Sequence, residues 1–138
     1  PNGIAIDPTG THLFALAPAG DAALWCTLDP TTGAPVPGGQ TRTRGPAVDF
    51  ALGEDLTAPA FASPHLYVAL EGAAEVRGFG RDASTGTLTP LGGGVADTAP
   101  GPIGLALHPA APFAITANTS GQSITRLAYD PPTGDHVA

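Results

Sequence analysis

The sequence has no lysine, no methionine and one cysteine, and only 12% of its 138 residues are charged. The single cysteine, Cys26, excludes an internal disulfide and a zinc site built on cysteines. Five arginines face twelve acidic residues, so the formal net charge is −7. A chain of this charge is repelled by nucleic-acid phosphates and anionic membranes. No apolar run approaches the ~18–20 residues that span a bilayer. We therefore expect no nucleic-acid partner and no membrane span.

The sequence also lacks the clustered side chains that usually bind metals and cofactors. The four histidines lie far apart in the sequence and form no short-range ligand pair: His12, His65, His108 and His136. Metal sites in proteins are built from clustered histidine, cysteine or carboxylate side chains. The sequence therefore predicts neither a metal nor a cofactor.

Glycine and proline are abundant, with 19 and 16 residues, and together they make up about a quarter of the chain. Because 42% of the residues are hydrophobic and few are charged, the composition does not fit a disordered chain. The spacing of proline and glycine would break most helices. These features predict an all-β fold with many turns.

The strongest pattern is an internal repeat. The segment 12–16 resembles 65–69, and the turn Asp-x-x-Thr-Gly occurs at 29–33, 82–86 and 130–134. Each repeat is predicted to form four short strands separated by turns. The predicted strands are 3–6, 12–17, 22–28 and 34–37, then 66–70, 75–81 and 87–91, then 113–118 and 123–129. The repeats occupy about 1–39, 45–94 and 101–138, and an insertion of about eight residues is expected within 53–60.

Four antiparallel strands repeating every ~40–50 residues are typical of a β-propeller blade. The repeats resemble those of the seven-bladed lactonase-type propellers, which include 6-phosphogluconolactonase-like proteins and YVTN-repeat surface proteins. The resemblance depends on Gly-Pro-x-Gly-Leu-Ala-Leu-His-Pro at 101–109, on 114–118, and on the turn at 130–134. It implies about three blades of a larger, seven-bladed ring.

Closed propellers have typically four to eight blades, so three blades leave two apolar sheet faces uncovered. Together with the absence of methionine, this predicts a piece of a longer chain. The alternative is a protomer that completes a six-bladed ring by association. The expected partners are the remaining blades of the same propeller and a small-molecule or protein ligand at the channel face.

The candidate binding residues lie in the loops that lead into the first strand of a blade or join its second and third strands. In a propeller these loops share one face around the channel. The ligand-binding candidates are Asn2, Arg42, Arg44, Asp49, Glu71 and Asn118, with Asp21, Glu75 and Ile103 in the same loops. Arg42 and Arg44 lie in a predicted linker, 40–44, where an anion could be bound.

Catalysis in the lactonase-type family would be implied by an Arg-His pair after Gly-Pro at the start of a blade, with an acidic residue in another blade. The matching positions are 2–3, 47–48 and 103–104, and none carries these residues. No catalytic residue is therefore assigned.

Two hypotheses stay open. The first is a non-catalytic binding or scaffold module, periplasmic or extracellular. The second is a piece of a lactone hydrolase whose catalytic residues lie in other blades, cytoplasmic if its substrate is a sugar phosphate.

Several conspicuous residues have simpler structural interpretations. Asp7 and His108 are expected to cap turns, as are Asp29, Asp82 and Asp130. We expect His12 and His65 to be exposed at turn ends, Cys26 to be a small core residue, and Asn118 to bond nearby backbone. Trp25 is either exposed or inserted between blades.

Overall fold

A computed structural model describes residues 3–7, 9–17, 22–43, 47–53 and 65–137, with backbone alone for 47–53. These residues form three four-stranded antiparallel sheets, each in chain order. Sheet A contains β1 (Ile4–Ile6), β2 (His12–Ala17), β3 (Ala22–Leu28) and β4 (Pro35–Arg42). Sheet B contains β5 (Ala47–Gly53), β6 (His65–Leu70), β7 (Glu75–Arg81) and β8 (Leu88–Asp97), with a 3-10 turn at Glu71–Ala73. Sheet C contains β9 (Pro102–Leu107), β10 (Phe113–Asn118), β11 (Ser123–Tyr129) and β12 (His136–Val137).

The repeated Asp-x-x-Thr-Gly turns join the third and fourth strands of each sheet. The glycines that close them have φ of +71°, +73° and +74°, the left-handed region that favours glycine, at Gly33, Gly86 and Gly134. The carboxylates of Asp29 and Asp82 accept backbone hydrogen bonds from the residues two and three positions later. Hydrogen bonds lower the pKa of both carboxyls, mainly from the Thr32 backbone onto Asp29 and from the Ser84 hydroxyl onto Asp82. The predicted turn role of these aspartates is confirmed.

The fourth strands of sheets A and B are longer than the sequence predicts. β4 extends to Arg42 rather than ending near residue 37, and β8 extends to Asp97 rather than ending near 91. Both are edge strands, in which glycine and proline are tolerated because one side makes no ladder hydrogen bonds. Each pairing contains a register shift, at Gly38 in β4 and at 91–94 in β8, and the strand continues in the ladder beyond it. Arg42 is therefore the last residue of a strand, and its placement in a linker was wrong. The insertion expected within 53–60 lies, beyond Gly53, outside the described residues.

Two apolar cores lie between successive sheets. The A–B core contains Phe14, Leu16, Ala23, Trp25, Leu66, Val68, Leu70, Phe79 and Leu88. The B–C core contains Tyr67, Ala69, Val76, Leu105, Ala114, Leu127 and Tyr129. Because both faces of sheet B are covered, every residue of β6 is buried. The first strand of sheet B contacts the first strands of both neighbouring sheets, so the three sheets are arranged like adjoining wedges. This is the blade arrangement of a β-propeller.

Trp25 is one of the buried residues that join sheets A and B. Its indole lies over two glycines of the neighbouring strand β4. A Cβ atom added at Gly38 or Gly39 would lie 2.6 or 2.7 Å from an indole carbon. Trp25 is therefore inserted between blades, which decides between the two alternatives left open by the sequence.

The outer faces of sheets A and C remain apolar and open to solvent among the described residues. Ile4 and Ile6 on sheet A are 68% and 54% exposed, and Ile124 on sheet C is 75% exposed. Cys26 shares the outer face of sheet A and is only half-buried, whereas its register equivalents, Phe79 and Leu127, are buried. The expectation that Cys26 is a core residue was wrong. Among the described residues, no sheet covers the face of sheet A on which Cys26 lies.

Candidate functional site

One edge of the sheets, the loop edge, carries the loops predicted to bind a ligand. Asn118 at the end of β10 pairs with Pro102 at the start of β9 and with Ser123 at the start of β11. Glu75 at the start of β7 pairs with Asp97 at the end of β8. Three parts of each blade therefore lie at this edge. They are the start of the first strand, the loop that joins the second and third strands, and the end of the fourth strand. The tight turns with aspartate lie at the opposite edge, the turn edge.

The predicted binding residues have different positions relative to the loop edge. Asn2, Asp21 and Arg44 lie outside the described residues, as does the side chain of Asp49, whose backbone pairs with Ala69 in β5. Glu71 is exposed at the start of the 3-10 turn, and Ile103 is exposed in β9. The remaining three candidates, Arg42, Glu75 and Asn118, make contacts that define what each can do.

Asn118 is buried, and both polar atoms of its side chain make hydrogen bonds. Its Nδ2 donates to Thr125 Oγ1 at 2.9 Å and to Ser123 Oγ at 3.3 Å, and its Oδ1 accepts from Thr116 Oγ1 at 3.0 Å. Thr125 Oγ1 also accepts from the backbone N–H of Ala99, in the segment that leads into β9. Asn118 thus holds the loop edge of sheet C together. The expected local bonding is correct, but its partners are hydroxyls and not the backbone.

Arg42 and Arg77 line one cavity of about 290 Å³ between sheets A and B. The rest of its wall is formed by Gly78, Phe79, Pro90, Leu91, Gly92 and Val95. The Arg77 guanidinium donates from Nε to Glu75 Oε1 at 2.7 Å, and its Nη2 forms an ion pair with the same oxygen at 2.7 Å. Arg42 has no ion-pair partner in the part of the chain that the structure describes. We call this cavity the Arg42–Arg77 cleft.

The cleft combines a guanidinium that has no ion-pair partner among the described residues, that of Arg42, with an apolar wall in a chain that is strongly acidic. Two of the five arginines in the sequence line it, and one of the two is already neutralised by Glu75. A guanidinium pairs with carboxylate or phosphate oxygens through two parallel hydrogen bonds. The arrangement can therefore bind a small monoanion. Sequence reasoning nominated Arg42 but missed Arg77; the alternation in β7 that puts Arg77 and Phe79 on one face could have indicated it.

The turn edge carries a buried ion pair between sheets A and B that the sequence did not indicate. Asp7 Oδ2 accepts from Arg81 Nη1 at 2.9 Å, and Asp7 Oδ1 accepts from the backbone N–H groups of Thr11 and His12. Burial of Asp7 opposes ionisation, but the hydrogen bonds from His12, Thr9 and Thr11 outweigh it and lower the carboxyl pKa well below its ordinary value. The predicted turn cap is confirmed, with an added role between sheets.

His12 and His65 are buried, so the prediction that they are exposed was wrong. Each ring lies against the turn glycine of the next sheet. A Cβ atom added at Gly86 would lie 2.6 Å from His12 Cδ2, and one at Gly134 would lie 2.5 Å from His65 Cδ2. We call this the ring-on-glycine contact. Burial lowers the pKa of His65, although the negative charges of Asp135 and Asp130 act to raise it. A neighbour from another sheet covers each histidine, and a local pattern does not reveal such a neighbour.

The described residues contain no group of three or more histidine, cysteine, aspartate or glutamate side chains placed to hold a metal ion. Within the same ranges, no helix has the length and apolar character needed to cross a membrane.

No protein-family model and no curated protein matches the chain. Several solved structures match it closely in shape. A putative 6-phosphogluconolactonase from Bacteroides fragilis superposes with a TM-score of 0.81 and 17% identity, over 97% of this chain and 36% of that one. A protein from Lactobacillus plantarum gives 0.82 and 22%, over 97% and 39%. The periplasmic gluconolactonase of Pseudomonas aeruginosa gives 0.76 and 16%, over 98% and 37%.

The chain spans little more than a third of the length of these structures. At this level of identity the likeness shows the fold, which is that of several blades of a lactonase-like β-propeller. The resemblance predicted from the repeats is confirmed in this sense. The total of seven blades and the blade boundaries stay predictions.

Proposed function

We propose that this chain is a non-catalytic scaffold and binding module of a lactonase-like β-propeller, and that the Arg42–Arg77 cleft binds a small organic anion. The observation that supports this most directly is that arginines from two neighbouring blades line one cavity with an apolar wall. Cavities between rigid elements, apolar with a few polar groups, are the usual form of small-molecule sites.

The chemistry of the cleft favours a monoanionic carboxylate with an apolar body. Glu75 balances the charge of Arg77, so Arg42 supplies the net positive charge. Phe79, Leu91 and Val95 offer apolar contact to the body of the ligand. A volume of about 290 Å³ is at the small end for ligand sites. A ligand of roughly ten non-hydrogen atoms, at ~0.4 kcal/mol per atom, would bind with about 4 kcal/mol, a Kd near 1 mM.

The scaffold part of the proposal is supported by the bonding of the buried polar groups. Asp7 and Arg81 join sheets A and B, and the Tyr67 hydroxyl donates to the Gly134 carbonyl in sheet C at 2.8 Å. Asn118 is fully engaged within its own sheet. These contacts hold neighbouring blades and the strands within a blade in place, as a scaffold requires.

The alternative function is that of a lactone hydrolase whose catalytic residues lie in blades outside these 138 residues. It is favoured by the likeness in fold to a putative 6-phosphogluconolactonase and to a periplasmic gluconolactonase. A periplasmic or extracellular location suits the first function, and a cytoplasmic one would suit hydrolysis of a sugar phosphate.

Binding of phenylacetate, followed by NMR chemical-shift titration, tests the cleft. We expect a Kd near 1 mM, from the estimate above, and about a fivefold loss of affinity in Arg42→Gln, which removes the free cation. Arg126→Gln is the matched control, because Arg126 lies over Phe113 on sheet C, at 4.4 Å from the ring centroid. Equal losses in both variants, or no titratable shift in the wild type, would contradict the proposal.

Opening of glucono-δ-lactone by a complete propeller that contains these 138 residues, followed by proton release, separates the two functions. The scaffold proposal expects the rate of ring opening to stay at the uncatalysed value. Turnover above that value would refute the non-catalytic assignment, and turnover by the 138-residue chain alone, retained in Arg42→Gln, would place the chemistry within these blades.

A further inference from the structure

Two histidine rings lie beside a buried tyrosine where sheets B and C meet. His65, the first residue of β6, is 7% exposed, and His136 in β12 is half-buried. The ring centroids of His65 and His136 lie 6.3 and 5.8 Å from that of Tyr67. Both ring nitrogens of His136 are buried, and neither forms a hydrogen bond with the described residues. Burial of this kind favours the neutral form of an imidazole.

The equivalent histidine between sheets A and B has a counter-charge. His12 Nδ1 lies 3.4 Å from Asp7 Oδ2, and Arg81, the last residue of β7, completes this ionic group. The position equivalent to Arg81 in sheet C is Tyr129, the last residue of β11. In the part of the chain that the structure describes, no ion pair joins His65 to a carboxylate. The two interfaces share the ring-on-glycine contact but differ in the charges that surround it.

Two aspartates of sheet C act on these histidines from a distance. The charges of Asp135 and Asp130 act to raise the pKa of His65, and the Ala128 backbone and the charge of Asp135 act to raise that of His136. Burial outweighs these effects and lowers the pKa of both histidines below the ordinary value. A proton therefore binds each ring more weakly in the closed core than in water.

The other ionisable groups around the two rings do not supply a free negative charge. Arg81 and Asp82 line a cavity with His65, but Arg81 is engaged in its ion pair with sheet A and Asp82 accepts the hydrogen bonds of its turn. Burial raises the pKa of the hydroxyls of Tyr67 and Tyr129, so both stay neutral in acid. An imidazolium formed in the closed core would lack a direct carboxylate partner among the described residues.

We propose that the contact between sheets B and C is an acid-sensitive switch, in which protonation of His65 and His136 separates sheet C from sheet B while the A–B core stays closed. In the separated form both rings meet water and regain a pKa of ~6.5. Below this pH the open form binds more protons than the closed form, so acid shifts the equilibrium towards opening. The A–B core keeps its ionic group in this range, because hydrogen bonds lower the pKa of Asp7 despite its burial.

Two histidines are enough to make the opening strongly dependent on pH. A proton bound only by the open form multiplies the opening constant by about tenfold for each pH unit below ~6.5. Between pH 7.5 and 5.5 the two protons together raise this constant by up to about a hundredfold. Because Asp130 and Asp135 leave the closed core some proton affinity, we expect a rise of at least about tenfold.

The experiment places one thiol in each core of a complete propeller that contains these 138 residues, with Cys26→Ser and any cysteine outside them likewise replaced. Ala114→Cys reports the B–C core, and Ala23→Cys reports the A–B core, because these alanines are 0% and 1% exposed. A buried thiol reacts with a methanethiosulfonate reagent only when its core opens. The ratio of the two rates at one pH cancels the pH dependence of the thiol itself.

We expect the rate at position 114, divided by that at position 23, to rise at least about tenfold between pH 7.5 and 5.5. In the double variant His65→Gln and His136→Gln, which cannot take up the protons, the ratio should change less than about twofold. His108→Gln is the matched control, because the His108 ring lies against Phe113, outside the B–C core; it should keep the full rise. Since the pH dependence is compared, a variant that loosens the core at every pH still gives a result.

A ratio that does not change with pH, or one that rises equally in the double variant, would overturn the proposal. Rates that rise in parallel at both positions would mean that the whole domain opens, which would overturn the assignment to the B–C core. Ring-nitrogen NMR gives a second check, since protonation of His65 or His136 above pH ~6.5 would contradict the proposal. The Arg42–Arg77 cleft lies between sheets A and B and is not a readout here, so this proposal and the proposed function can fail independently.

Discussion

Asp7→Asn tests how much the ion pair between sheets A and B contributes to stability. The side chains of Asp7 and Arg81 are 1% and 8% exposed, and their charged atoms are 2.9 Å apart. Asparagine keeps an acceptor for the backbone N–H groups of the turn but leaves the Arg81 guanidinium buried without a counter-charge. Removing one partner of a buried pair typically destabilises a protein by 3–5 kcal/mol. Against a total stability of ~5–15 kcal/mol, we expect a loss of about 3 kcal/mol or more.

Urea unfolding at pH 7, followed by far-UV circular dichroism, measures this change. Arg81→Gln should destabilise the chain less, because the Asp7 carboxylate keeps its hydrogen bonds within the turn. The double variant should then show a coupling energy of about 1–3 kcal/mol. Asp29→Asn is the control, since Asp29 accepts similar turn hydrogen bonds and has no arginine partner among the described residues; its unfolding midpoint should move less. A loss below ~1 kcal/mol in Asp7→Asn, or strictly additive variants, would refute the reasoning.

Three further predictions concern the same interfaces. Because the pKa of Asp7 is lowered in the folded chain, its ionised form stabilises the fold at pH values above its ordinary pKa of ~3.9. This contribution is lost as the pH falls further. The Tm should therefore fall less steeply with acid in Asp7→Asn than in the wild type. Gly86→Ala should lower the Tm more than Gly33→Ala, because both strain a left-handed turn but only the first meets a histidine ring; equal shifts would contradict the contact. Tyr67→Phe should cost about 1–2 kcal/mol in urea unfolding by leaving the Gly134 carbonyl unpaired, and an unchanged midpoint would argue against the bond.

Local chemistry made the architecture predictable from the sequence. The turn residues Asp29, Asp82 and Asp130 recur because an aspartate acceptor and a closing glycine are needed wherever the third strand turns into the fourth. Those turns, together with alternating apolar residues, set the ends of most strands to within a residue or two. The fold class follows from their repetition.

Features that depend on edge strands were harder to predict. β4 and β8 contain glycine and proline that are typical of loops, yet they continue as strands because one side of each needs no ladder partner. Only the assembled sheet shows this. For the same reason Arg42 was expected in a linker, although its position beside Arg77 depends on the strand reaching residue 42.

Contacts between sheets were not predictable from one blade at a time. His12 and His65 look like turn-end residues, and Arg81 looks like a solvated strand end, until the next blade covers them. Their partners lie about 70 residues away in the sequence, at Gly86, Gly134 and Asp7. A single sequence gives no signal that joins such distant positions.

The distribution of aromatic residues gives each interface its own optical signal. The one tryptophan, Trp25, lies in the A–B core, and both tyrosines, Tyr67 and Tyr129, lie in the B–C core with ring centroids 5.2 Å apart. Tryptophan fluorescence therefore reports separation of the first two wedges, and tyrosine ellipticity in the near ultraviolet reports separation of the last two. Recorded on one sample during unfolding, the two signals can distinguish wedges that come apart in succession from wedges that come apart together.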